Sequence, residues 1–99
     1  PFFFSYTLSK ASLATLTKIS AMKLAPKIRV NAIAPGYIET PMNRDFFKTG
    51  PGEALINSVP QRRLGQLEDL DGTILLLASD ASKFITGTVI TVDGGFTVR

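Results

Sequence analysis

Tyr6 and Lys10 stand four residues apart in a stretch free of glycine and proline. On a helix that spacing puts them about 40° from each other around the axis, so a phenol and an ammonium can face the same space. With an ordinary pKa of about 10 a phenol is a poor base near neutrality, and a fixed neighbouring cation favours its ionised form. A tyrosine tuned in this way can give a proton to a carbonyl oxygen as it becomes an alcohol, and take one in the reverse direction. The same spacing also suits an interface tyrosine beside a solvated lysine, so the pair alone does not decide. The chain has neither cysteine nor histidine. Thiolate and imidazole are thereby removed as ligands and bases, and no metal site is expected.

The elements that must position the pair can be read from punctuation and periodicity. Residues 5–25 read as one helix, stopped by Ala25-Pro26 because proline disfavours helix in the residue before it. Its apolar residues spread around the axis, which predicts a helix covered on more than one side. Residues 28–34 alternate as a strand and end in a Pro35-Gly36 turn. Residues 37–59 read as a mobile flap over a substrate. Thr40-Pro41 is its helix-start signal, Thr49-Gly50-Pro51-Gly52 a break, and a short helix resumes before Pro60. A third helix is expected over residues 66–79, with acids in its first turn, and a β-branched strand over residues 88–92 that ends at Asp93-Gly94-Gly95. Helices alternating with strands predict the α/β class, a parallel sheet with helical crossovers.

Two strands are too few for a stable parallel sheet, which needs neighbours on its edges and helices on both faces. The chain also opens without Met on the apolar run Pro1-Phe2-Phe3-Phe4. Both features predict a chain that begins mid-domain, the carboxy-terminal part of a larger sheet. The net charge of +3 is scattered, with no basic run longer than Arg62-Arg63. A nucleic-acid partner is therefore not expected. No apolar stretch approaches the ~18 residues of a membrane span, which predicts a soluble, cytoplasmic protein without a membrane partner.

Further motifs follow the pair in order. Ser5-Tyr6-Thr7-Leu8-Ser9-Lys10 precedes Ile28-Arg29-Val30-Asn31-Ala32-Ile33-Ala34-Pro35-Gly36 and Thr40-Pro41. Then come Pro60-Gln61-Arg62-Arg63-Leu64-Gly65, Leu76-Leu77-Ala78-Ser79-Asp80, Thr86-Gly87 and Val92-Asp93-Gly94-Gly95. This series, over essentially the whole chain, resembles the short-chain dehydrogenase/reductase family. The resemblance implies a doubly wound, Rossmann-type sheet that is incomplete on its own, with NAD or NADP as cofactor. It makes Tyr6 the catalytic acid–base, in contact with the cofactor, and Lys10 the residue that lowers its pKa and holds the nicotinamide ribose. It puts Pro35 and Gly36 at the turn beside the nicotinamide. Ile38 would meet the carboxamide through its backbone, and the Thr40 hydroxyl would reach the carboxamide or pyrophosphate. For Pro35 and Gly36 an ordinary strand-ending turn is the plainer reading, and for Thr40 a plain helix cap. The family's glycine-rich phosphate loop and catalytic serine would precede Pro1; Gly50 and Gly52 do not replace the loop, since they follow a helix and not a strand.

The expected function is that of a ketoreductase or alcohol dehydrogenase acting on a small carbonyl or alcohol, such as a 3-oxoacyl thioester, a sugar or a steroid-like alcohol. The full-length parent is expected to be a homo-oligomer. By the same resemblance, the close spacing of Tyr6 and Lys10 is similar to that of the ketone-reducing members and not to the enoyl-reductase branch, whose tyrosine and lysine lie farther apart. Arg62 and Arg63 beside the flap suit an anionic substrate. The plainer reading makes Arg63 structural and Arg62, where the family commonly has glycine, merely solvated. The enzyme is expected of the full-length parent; the rival is a non-catalytic truncated fragment or interaction module that pairs through its long first helix.

Overall fold

The computed structural model describes residues 2–98, with side chains from residue 8 onward. The chain runs through α1 (Phe2–Leu24), β1 (Ala32–Pro35), α2 (Gly50–Ser58), α3 (Asp71–Ala78) and β2 (Val89–Val92). Single 3-10 turns occupy Phe46–Lys48, Leu67–Leu70, Asp80–Ser82 and Phe96–Val98. β1 and β2 are neighbours in one sheet. The Ala32 amide donates to the Thr88 carbonyl and the Gly36 amide to the Val92 carbonyl, each at 2.9 Å. The constant offset between partners makes the pair parallel, with the helical segments as its crossover.

Several elements differ from the sequence reading, each for a local reason. The first helix is Phe2–Leu24 where residues 5–25 are expected. The ladder begins only at Ala32, although residues 28–34 read as a strand. Upstream of it the Gly87 amide donates to the Val30 carbonyl at 2.7 Å, and side chains make the other links: Asn31 Nδ2 donates to the Ile85 carbonyl at 3.0 Å and its Oδ1 accepts from the Thr88 amide at 3.1 Å. Residues 41–45 are turns and not the helix that Thr40-Pro41 suggests. There the Asn43 carboxamide takes the Thr40 amide at 2.8 Å and gives to the Ile38 carbonyl at 2.9 Å. Such a side chain offers the backbone an alternative to the helix.

Gly50-Pro51-Gly52, expected as a break, opens α2. Thr49 caps it by accepting from the Gly52 amide at 3.2 Å, and Pro51 falls where a missing N–H leaves nothing unsatisfied. The helix expected over residues 66–79 starts as the Leu67–Leu70 3-10 turn before α3. The Asp69 carboxylate accepts from the Gln66 amide at 2.7 Å and tightens that turn.

The contacts divide the chain into two units. Unit 1 holds the described residues up to Ala34 with Thr73–Ile90, and unit 2 holds Pro35–Gly72 with the residues from Thr91 onward. Among the described residues of unit 1, Thr17, Ala21, Ala34 and Ser82 are buried, while Leu8, Leu16, Ile19 and Met22 of α1 are exposed. The buried Thr17 hydroxyl is satisfied within its own helix, donating to the Leu13 carbonyl at 2.7 Å. The Arg29 guanidinium donates to the carbonyls of Leu77, Ser79, Ser82 and Ile85 and to the Ser82 hydroxyl, at 2.8 to 3.3 Å.

Unit 2 closes around Phe47, Val59 and Phe96, all buried. Tyr37 meets Phe47 and Phe96 edge-on, with ring centroids 6.0 and 5.2 Å apart, a geometry that suits the opposed charge of ring edge and face.

Candidate functional site

Lys10 is half-buried on α1 in unit 1. Tyr6 belongs to the same helix one turn earlier, and its side chain lies outside the described residues. Of the other four sequence-predicted residues, Pro35 is the last of β1, and Gly36, Ile38 and Thr40 follow it, all within unit 2.

That segment is held by its backbone. Gly36 leaves no room for a side chain, because a Cβ there would stand 2.6 Å from the Asp93 Cβ and 2.8 Å from its Cα. Ile38 pairs with Gly65 as a parallel bridge, in which the Gly65 amide donates to Tyr37 and the Glu39 amide to Gly65, both at 2.8 Å. This leaves the Ile38 amide donating to nothing among the described residues, while its carbonyl is taken by Asn43. The Thr40 hydroxyl is half-buried and likewise has no hydrogen bond among the described residues; Thr40 contributes its backbone amide to Asn43. A donor and a hydroxyl left without partners beside a strand end are suited to a polar ligand.

Asn43 was not singled out by the sequence, yet it fixes both residues. An asparagine three positions after a Thr-Pro turn is the signal that marks it. Asp93 behaves as a turn former: its Oδ1 accepts from the Gly95 amide at 2.9 Å, and its Oδ2 from the Thr97 amide and hydroxyl at 3.0 and 2.8 Å. Gly94 and Gly95 then adopt φ of +62° and +94°, which glycine takes without steric cost.

A cavity of about 410 Å³ in unit 2 is lined by Tyr37, Ile38, Gly65, Asp69 and Asp93 among others. Of the sequence-predicted residues whose side chains are described, only Ile38 lines it. On its wall Arg63 and Asp69 form a two-pronged ion pair at 2.8 and 3.3 Å. The Arg63 guanidinium, with the Gln66 amide, holds the Asp69 carboxyl at about 2, down from an ordinary 3.8. Glu39 is also lowered, first by its hydrogen bond from Gln66 and then by Arg44.

Because the folded chain takes up the Asp69 proton less readily than the unfolded chain, this contact stabilises fully above about pH 4. Its contribution is lost as pH falls toward about 2. Asp69→Asn is expected to melt below the parent at pH 6, with the difference shrinking toward zero near pH 2. Melting curves across that range check it, and the gap should be small because the pair is exposed. Among the described residues no helix is long and apolar enough to cross a membrane, and no group of three or more metal-ligating side chains is assembled.

The family model described as enoyl-(acyl carrier protein) reductase matches residues 1–97. A short-chain dehydrogenase/reductase of Byssochlamys spectabilis is 44% identical over 94% of this chain and 31% of its own length. The chain belongs to the short-chain dehydrogenase/reductase family. Another relative, the 3-oxoacyl-[acyl-carrier-protein] reductase of Thermotoga maritima, is 43% identical over 95% of this chain and 38% of its own length. The crystal structure of a gluconate 5-dehydrogenase from Burkholderia cenocepacia, in complex with NADP and tartrate, superposes with a TM-score of 0.82 at 36% identity. It is covered over 37% of its chain, against 93% of this one. The chain therefore spans between three and four tenths of the length of these relatives. Likeness to a solved family member at this identity gives the two-stranded α/β piece its parentage, that of part of a Rossmann-type sheet.

Proposed function

We propose that this chain supplies the proton-transfer and nicotinamide-side groups of an oxidoreductase that interconverts a small carbonyl compound and its alcohol. Carrying the reading is the placement of Tyr6 and Lys10 one helical turn apart in α1, in a chain whose family match runs over residues 1–97. The cofactor is NAD or NADP, which supplies or accepts the hydride when bound. The Ile38 amide would hold the carboxamide, the Thr40 hydroxyl the carboxamide or pyrophosphate, and Lys10 the ribose hydroxyls, with the Pro35-Gly36 turn alongside. The Ile38 amide and the Thr40 hydroxyl, both without partners among the described residues, support that assignment.

In reduction the Tyr6 phenol gives its proton to the carbonyl oxygen, which leaves the alcohol. In oxidation the Tyr6 phenolate takes the proton from the alcohol oxygen. Lys10 favours the phenolate by its charge. The names of the relatives support a 3-oxoacyl thioester or a sugar as substrate, and the family model's description adds enoyl reduction as the competing reaction. The proposal extends to a cytoplasmic homo-oligomer, and the exposed Leu8, Leu16, Ile19 and Met22 of α1 support the assembly.

The test is oxidation of NADPH and NADH by the purified full-length parent with a 3-oxoacyl thioester, a keto-sugar acid and a 2-enoyl thioester, followed by absorbance. Consumption with at least one of the carbonyl substrates and none with the enoyl thioester is expected. Consumption with the enoyl thioester alone, or with nothing, would overturn the reading.

A further inference from the structure

Unit 2 has a second concavity, an open groove of about 440 Å³ whose wall includes Arg44, Lys48, Arg62 and Arg63 over Phe47, Ile56 and Leu64. That volume falls in the range of small-molecule sites. Two of its four cations are already committed: Arg44 pairs with Glu39 at 3.1 Å and Arg63 with Asp69 at 2.8 Å. Lys48 and Arg62 make no side-chain hydrogen bond or ion pair among the described residues. Glu39 also lines the groove, and its carboxyl is lowered by hydrogen bonds from Gln66 and Arg44 and by the charge of Lys48. Four cations thus face two carboxylates, Glu39 and Asp69, and a surplus of two positive charges remains above an apolar floor.

The backbone at Arg62 is the second, independent observation. Its φ is +58°, in the left-handed region, and it is the one described residue other than glycine that adopts such an angle. The turn is pinned by the Arg62 amide donating to the Val59 carbonyl at 2.7 Å and by the Gln61 amide donating to Gly94 at 3.1 Å. Glycine would meet this angle without strain, whereas a residue with a Cβ is strained there. Strain kept at a groove edge by a long cationic side chain points to a function for that side chain. The plainer reading of Arg62 as a solvated residue gives no account of it.

We propose that this groove binds a phosphate monoester carried on an apolar body, with Arg62 and Lys48 holding the phosphate and Phe47, Ile56 and Leu64 taking the apolar part. The charge left over matches a dianion. Arginine's planar fork grips two phosphate oxygens and lysine serves as a mobile point charge. The site lies wholly within unit 2, and its test needs no turnover. Its failure would leave the oxidoreductase reading intact, and failure of that reading would leave the groove's binding unchanged.

Calorimetric titration of the purified full chain with octyl phosphate, octanoate, inorganic phosphate and octanol is the experiment. Octyl phosphate should bind saturably, at least about tenfold tighter than any of the other three. Arg62→Gly and Lys48→Ala should each weaken it about tenfold, and Arg62→Gly should leave the melting temperature of the free protein unchanged or raised. A structural arginine would instead lower it. The proposal falls if octyl phosphate binds no tighter than inorganic phosphate or octanol, or if the double variant keeps the parent affinity. It falls equally if octanoate matches octyl phosphate, since one negative charge would then suffice.

Discussion

Replacing Tyr6 by phenylalanine is expected to lower carbonyl reduction by about 10²- to 10⁴-fold, the usual contribution of a positioned acid–base group. Nicotinamide nucleotide affinity should stay within about twofold, because a single hydroxyl is lost where Lys10, Ile38 and Thr40 are proposed to hold the cofactor and the aromatic ring is kept. Lys10→Met differs in kind. It should lose turnover and cofactor affinity together, since one ammonium is assigned both tasks. Its residual alcohol oxidation should need higher pH, because without a fixed cation the phenol ionises closer to its ordinary value of about 10. Initial rates across pH, cofactor fluorescence titrations and melting curves separate these effects. Retained turnover in a folded Tyr6→Phe variant would remove the phenol from the mechanism and return the chain to the rival reading of a non-catalytic module.

Arg29→Met should produce the largest loss of stability, about 2–4 kcal/mol. The guanidinium satisfies four carbonyls and the Ser82 hydroxyl, and two of those carbonyls, of Leu77 and Ser79, lie at the carboxyl end of α3. A cation there also complements the helix dipole. Methionine matches the length and apolar stem of arginine but leaves the carbonyls without their donor. Lysine keeps the charge without the fork, and Arg29→Lys should fall between the two. Urea denaturation gives the values. A loss under about 0.5 kcal/mol for Arg29→Met, the scale of an ordinary surface change, would show that water replaces the guanidinium without penalty.

The residues that the sequence marked and those it passed over differ in how far their partners lie along the chain. Thr49-Gly50-Pro51-Gly52 reads as punctuation, and the structure makes it a helix start, because the Thr49 hydroxyl finds the Gly52 amide only once Phe46–Lys48 has turned. Thr40-Pro41 reads as a helix start, and Asn43 converts it into a turn. In both places the signal residues were visible, and a choice between two local hydrogen-bond patterns reversed their meaning. Arg29 and Asn31 gave no signal beyond interrupting an alternation, since their partners at residues 77–88 lie about fifty positions away.

What the sequence determined by itself is what depends on spacing along one element and on motif order. That covers the Tyr6/Lys10 pair one turn apart, the parallel α/β class, the family, and the absence of cysteine and histidine chemistry. Tertiary structure decided what depends on groups distant in the chain. It shortened the first strand to Ala32–Pro35, left the Ile38 amide without a hydrogen-bond partner among the described residues, and gave Arg44 and Arg63 ion pairs while Lys48 and Arg62 make none among the described residues around the groove. The physical reason is that periodicity and propensity are properties of consecutive residues. Whether a donor or a charge is satisfied depends on every group the fold carries to within about 3 Å of it.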